Sequence, residues 1–313
     1  MKNNTVNSGI YPAALTPFDK HGKVDVGALH ELTQWYAEKG CTGIFAACLS
    51  SEIFGNDTVG DMSLEDRVLI TKEMIKAAPA DMDIVTSGHV LMTSAKGMDE
   101  LRAMADTGAK ALVLISNRLA EQKEGEDAVR RNLYAVMEAI PDIDLGLYEC
   151  PVPYGRPLSA ALLHEVAQTG RFVFIKETTC TPSIINEKVE AVKGTRLQFF
   201  NANSVSLLDS VKHGAAGLCG VMANFHPDLY AKLMELAQTD MTKAEELQDE
   251  LGVLSILDYY AYPASAKAYL ALEGLKFESF SKRVTPDVAP SEIAMMEMQQ
   301  RYNLTYRLRE KWL

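Results

Sequence analysis

Eight short apolar runs, separated by longer stretches of helical spacing, leave this 313-residue chain few ways to fold. The runs are residues 10–15, 43–48, 83–87, 111–115, 145–148, 172–175, 197–200 and 217–221. Each reads as a strand buried on both faces, as parallel strands must be. Between them, residues 26–39, 64–78, 95–107, 128–140 and 158–169 carry amphipathic helical patterns. Asp25, Ser63, Ser94, Ser159 and Ser204 stand where helix N-caps are needed. Gly40, Gly108, Gly170, Gly194 and Gly214 stand where helices should stop. Eight such units in about 220 residues predict an α/β fold, one closed (β/α)8 TIM barrel. The competitor is an open, doubly wound sheet. No G-x-G-x-x-G follows the first run, and eight regular units favour closure. After residue 221 the pattern changes, and residues 227–239, 242–260, 265–273 and 291–313 read as helices. The expected organisation is a barrel over residues 1–225, then its last helix and a C-terminal helical extension of the same unit over residues 226–313.

Hydrophobic residues make up 47% and charged residues 23% of the chain, enough apolar surface for a sizeable core. The net charge of -11 argues against binding nucleic acid or an anionic membrane through a general field. An anionic small molecule remains compatible with it, because a few local donors reverse the field inside a pocket. The N-terminus, MKNNTVNSGIYPAAL, has no apolar signal-peptide core, and no apolar run of about 18 residues occurs. A cytoplasmic protein is expected. The five cysteines are scattered and lack a CxxC, as reduced thiols would be. The six histidines show neither HxH nor HxxxH, so neither a metal nor another cofactor is expected.

Barrel enzymes gather their chemistry at the C-terminal ends of the strands. Strand six, Phe172 to Ile175, runs directly into Lys176. An amine at that point loses hydration, which disfavours its charged form, and a neutral amine is what attacks a carbonyl to give an imine. The alternative is a lysine that reaches solvent or pairs with Glu177. Strand five ends at Tyr148, whose phenol can move protons; the alternative is a core tyrosine with a satisfied hydroxyl. Strand two runs into Ser50 and Ser51, which can hold a carboxylate or merely shape a turn. Asn201 after strand seven and Cys219 in strand eight are further lining candidates, with Cys48 and Cys150 as wall residues. Arg118 and Arg156 follow strands four and five, and either can bind an acidic group or be a solvated loop residue.

These residues resemble the dihydrodipicolinate synthase / N-acetylneuraminate lyase family of class I aldolases. Ala13-Ala14-Leu15-Thr16-Pro17-Phe18 is similar to the family's A-x-x-T-P-F, Lys176-Glu177-Thr178-Thr179 to its K-E-x-T, and Tyr148-x-x-Pro151 to its Y-N-x-P. Residues 217–224 resemble its eighth strand. The resemblance implies Lys176 as the Schiff-base lysine, Tyr148 as the catalytic tyrosine, a small 2-oxo acid such as pyruvate as substrate, and a homo-oligomer, dimer or tetramer. The departures are as informative. The carboxylate loop G-T/S-T-G-E reads Cys48-Leu49-Ser50-Ser51-Glu52, and Glu149 stands where asparagine is usual. Pro153 occupies the synthases' arginine position, and Arg118 that of the tyrosine they lend across a dimer interface. Asn203 and Ser204 replace the acidic pair that sialic acid lyases use for the sugar tail. The expectation is therefore a lyase or aldolase acting on another 2-oxo acid, such as a 2-keto-3-deoxy sugar acid, with Arg118 on its tail. The alternatives are a dehydratase using the same imine, and a catalytically silent 2-oxo acid binder.

Overall fold

The structure, a computed structural model, describes residues 5–56, 59–257, 261–276, 278, 280–283 and 291–313. Eight strands form one all-parallel sheet: β1 Gly9–Ile10, β2 Gly43–Ala46, β3 Asp83–Thr86, β4 Ala111–Ile115, β5 Asp144–Tyr148, β6 Phe172–Glu177, β7 Gln198–Asn201 and β8 Gly217–Leu218. Their order is β1-β8-β7-β6-β5-β4-β3-β2. A parallel bridge between Ala13 and Phe45 brings the segment after β1 against β2 and closes the ring. The fold is a (β/α)8 TIM barrel. Around it run α1 Val26–Glu38, α2 Leu64–Ala77, α3 Ala95–Ala105, α4 Glu126–Ala139, α5 Ala160–Gln168, α6 Pro182–Val192, α7 Leu207–His213 and α8 Pro227–Thr239. The C-terminal extension consists of α9 Met241–Leu254, α10 Ala264–Leu272 and α11 Glu292–Trp312. No helix among the described residues is long and apolar enough to cross a membrane.

The local signals explain these boundaries. Asp25, Ser63, Ser94 and Ser159 accept from the N–H groups of Ala28, Asp66, Gly97 and Leu162, as N-caps should. Ser204 does not cap: α7 begins two residues later than that position implied, behind Ser206. Gly40, Gly108, Gly170, Gly194 and Gly214 all take positive φ at helix ends. β1 is shorter than its apolar run because Pro12 has no N–H to give the ladder. β6 runs two residues past its apolar run, through Lys176 and Glu177. The helix expected over 242–260 ends at Leu254; residues 258–260 lie outside the described ones.

The barrel interior is filled by rings. Phe174 of β6 meets Tyr11, Phe45 and Phe200 at centroid separations of 5.7, 5.6 and 4.8 Å. All four are fully buried, and truncating such a side chain to alanine typically removes about 3–5 kcal/mol of stability. This plug is what the site stands on.

Candidate active site

Lys176 follows Phe174 by two residues on β6, so both side chains face the barrel axis. The aromatic plug lies below it, and Lys176 is 4% exposed. Its Nζ lies 4.9 Å from the centroid of the Tyr148 ring and 5.7 Å from that of Phe45. It has no ion-pair partner among the described residues. Glu177, one residue on, faces the opposite way and pairs with Lys188 at 3.2 Å. Neither alternative, reaching solvent nor pairing with Glu177, describes this lysine.

Tyr148 is the register partner of Lys176 across the β5–β6 pair. It is buried, with its ring edge-on to Phe45 at 5.3 Å. Burial, reinforced by the nearby Cys150 and Cys48 thiols, pushes its hydroxyl well above the usual tyrosine range. Its hydroxyl is thereby favoured in the neutral form, which carries a proton. Cys219 is fully buried on the same side, and burial pushes its thiol up to about 12, so it is a wall group rather than a nucleophile.

After β2 the chain makes a 3-10 turn over Leu49–Ser51. Ser50, nearly buried, meets the Tyr262 phenol, which also accepts from Asn224 Nδ2 at 3.0 Å. Ser51 is used differently. Its hydroxyl donates to the Ala14 carbonyl at 2.7 Å and accepts from the Cys48 N–H at 3.1 Å, bracing the turn against the first strand segment. Glu52 follows in the left-handed region at φ 65°. Its buried carboxylate accepts from Lys267 Nζ, Ser281 Oγ and the Lys282 N–H, each at 2.6 Å, and so fastens residues 281–283 beside the turn. Arg283 thereby places Nη1 3.5 Å from the Leu49 carbonyl.

Arg118 reaches over the end of β3 and stacks on Phe54 with its guanidinium carbon 4.8 Å from the ring centroid. Its buried Nε has no hydrogen-bond acceptor among the described residues. Arg156 is spent on the loop after β4, donating to the carbonyls of Glu121 and Glu124. Asn201 faces away from the axis because its neighbour Phe200 faces inward. Its Nδ2 donates to Ser206 and Ser210, and its Oδ1 accepts from the Asn203 N–H, so it organises the start of α7. The structure thus brings Lys176, Tyr148 and Cys219 together with Cys48, the residue before the Ser50 turn, stacks Arg118 on Phe54, and turns Asn201 outward. Sequence reading missed Tyr262, Arg283, Lys267 and Lys188. The first three lie more than 200 residues from the turn they serve, and no local pattern marks them.

Fold and site define a barrel enzyme built around an amine and a phenol at adjacent strand ends. The chain belongs to the dihydrodipicolinate synthetase family, whose model matches residues 6–294. It is similar to the N-acetylneuraminate lyase of Mediterraneibacter gnavus, 25% identical over 250 residues covering 79% of this chain and 76% of that one. It is also similar to the 4-hydroxy-tetrahydrodipicolinate synthase of Corynebacterium diphtheriae, 25% identical over 309 residues covering 96% and 97% of the two chains. Among solved structures, the Ruminococcus gnavus sialic acid aldolase superposes with a TM-score of 0.82 at 23% identity, covering 98% of this chain and 99% of that one. Dihydrodipicolinate synthase from Acinetobacter baumannii, complexed with pyruvate, gives 0.82 at 23%, covering 96% and 99%. At those identities the structures establish the shared fold. Family membership makes the chain a lyase of the class I aldolase type.

Proposed function

We propose that Lys176 forms a Schiff base with pyruvate or a related 2-oxo acid, and that the chain cleaves or forms a carbon–carbon bond through it. The observation that carries this reading is the pairing of Lys176 with Tyr148 at one register position, both buried and the amine without an ion-pair partner among the described residues. In this mechanism the substrate carboxylate docks at the Ser50 turn, where Ser51 braces the backbone. Lys176 Nζ attacks the C2 carbonyl to give a carbinolamine. The Tyr148 phenol donates the proton with which the C2 hydroxyl leaves as water, and the iminium results. The Tyr148 phenolate left by that step takes the proton of the C4 hydroxyl, C4 becomes the aldehyde carbonyl, and the iminium accepts the electron pair of the breaking C3–C4 bond as an enamine. Protonation of C3 and hydrolysis of the imine then release pyruvate and free Lys176.

The substrate is inferred from what the mouth offers. Arg118, whose buried Nε has no acceptor among the described residues, suits a polar or anionic tail. That selects a hydroxylated 2-oxo acid of the 2-keto-3-deoxy sugar acid class. The decisive assay supplies such acids and follows both pyruvate release and loss of water. Release of pyruvate with an aldehyde supports the aldolase reading. Formation of a dehydrated 2-oxo acid without pyruvate replaces it with the dehydratase. Neither product from any acid tested removes the proposal.

A further inference from the structure

Each of the two residues at the centre of the site is followed directly by a carboxylate. Glu149 comes after Tyr148 and Glu177 after Lys176. Strand alternation sends these carboxylates outward, behind the site. There they are 1% and 0% exposed, and Lys188 of α6, itself 2% exposed, bridges them. Its Nζ lies 2.7 and 2.9 Å from the two oxygens of Glu149 and 3.2 Å from Glu177 Oε1. The surrounding bonds tie in the loops beyond both strands. Glu149 Oε1 accepts from the Leu158 N–H at 2.8 Å, and Glu177 Oε1 accepts from the Thr179 N–H at 2.9 Å. The Glu149 N–H donates to the Lys176 carbonyl at 3.2 Å, and the Thr178 hydroxyl donates to the Glu149 carbonyl.

Stability alone does not account for this cluster. Two acids share one base in this buried place, and Glu177 Oε2 has no hydrogen-bond partner among the described residues. Apolar side chains of the same volume are generally as stable or more so in such a place. What the cluster supplies is rigidity: one ammonium fixes the ends of β5 and β6 relative to each other, immediately behind the groups that must exchange a proton.

We propose that Lys188 and Glu149 are positioning residues that hold the Tyr148 hydroxyl and the Lys176 amine in register for proton transfer. This rests on the Schiff-base reading above. The charged groups that face Glu149 are Lys188 from α6 and Glu177 from β6, with the Leu158 N–H as the remaining donor. Burial, opposed by Lys188, raises the Glu149 carboxyl to about 6. Protonation there weakens the bridge, so the contribution of Glu149 fades as pH falls through that region.

The test uses the full-length protein and pyruvate alone. Borohydride trapping on Lys176 reports imine formation, and exchange of the pyruvate methyl protons in D2O reports the proton transfer that follows. Lys188→Met should slow exchange by tenfold or more while the pyruvate concentration for half-saturation stays within threefold. Glu149→Gln, nearly isosteric, should exchange three- to tenfold more slowly than wild type at pH 8 and converge on it at pH 5, where the wild-type carboxyl is itself protonated. Exchange by Lys188→Met within threefold of wild type overturns the inference. If that variant does not fold, Glu149→Gln decides: the same ratio to wild type at both pH values overturns it. Wild-type protein that neither traps nor exchanges pyruvate removes the Schiff-base reading and this inference with it.

Discussion

Lys267→Met should be among the most damaging single changes outside the barrel, because of what it leaves behind. Glu52 is fully buried and Lys267 nearly so, and the 2.6 Å pair joins the turn after β2 to α10, 215 residues away. Among the described contacts, removing the ammonium leaves the carboxylate with hydroxyl and backbone donors and no ion-pair partner. Breaking a buried pair in this way typically costs about 3–5 kcal/mol, mostly as the penalty of the unpaired ion. With an unfolding entropy of about 2.1 cal/mol/K per residue, that lowers Tm by about 5–8 °C for a chain of 313 residues. Glu52→Gln/Lys267→Met removes both charges and keeps an acceptor for the Ser281 hydroxyl and the Lys282 N–H, so it should lose no more than about 1–2 kcal/mol. Glu52 directly follows Ser51, so the single variant should also raise the pyruvate concentration needed for half-maximal imine trapping by at least threefold, and the double variant by less. Calorimetry of the three proteins, with trapping under the same conditions, makes the comparison. A single variant melting within 1 °C of wild type, or a double variant as unstable as the single one, refutes the reasoning.

Tyr148→Phe should keep the fold, slow formation of the Lys176 adduct and lower turnover by about 10²–10⁴, the range of a positioned acid–base group; steady-state kinetics within threefold of wild type remove the phenol from the mechanism. Arg118→Ala should raise KM for a substrate with an anionic tail at least tenfold while leaving pyruvate trapping nearly unchanged. Equal effects on both ligands mean that Arg118 does not read the tail. Glu149→Gln should alter stability in a pH-dependent way. A carboxyl raised from 4.5 to about 6 by folding favours the folded state below the unfolded value, and that contribution is lost as pH rises through about 6. The variant should therefore gain stability relative to wild type at pH 8 but not at pH 4.5, by up to about 2 kcal/mol for a shift of that size. Melting differences that do not change with pH contradict this.

The barrel was legible because parallel strands buried on both faces must be short and apolar, and because caps and helix-ending glycines carry their own local chemistry. The placement of Lys176 and Tyr148 at adjacent strand ends was legible for the same reason, since a polar residue at the end of an apolar run interrupts the pattern, while the roles given them came from the family resemblance. Asn201 shows the limit of that logic. It too ends a strand, but the side on which a strand-end residue falls depends on register, and one residue of difference turns Asn201 toward α7. Ser51 shows another limit, since a hydroxyl in the right turn is still committed to Ala14 once the first segment is packed against it. Lys188 was invisible because its two partners stand at the ends of two strands that meet its helix only in the folded chain. Tyr262 and Arg283 reach the Ser50 turn from the C-terminal extension, and nothing in their own sequence neighbourhood announces that.

The central claim is that Lys176 is the amine that carries the substrate, and reductive trapping addresses it most directly. The protein is incubated with pyruvate or another 2-oxo acid and borohydride, digested, and its peptides weighed. One reduced adduct should appear on the peptide containing Lys176, with a mass that identifies the acid, and Lys176→Ala should show none. An adduct on a different lysine, or no adduct under conditions that label a known Schiff-base aldolase, contradicts the account.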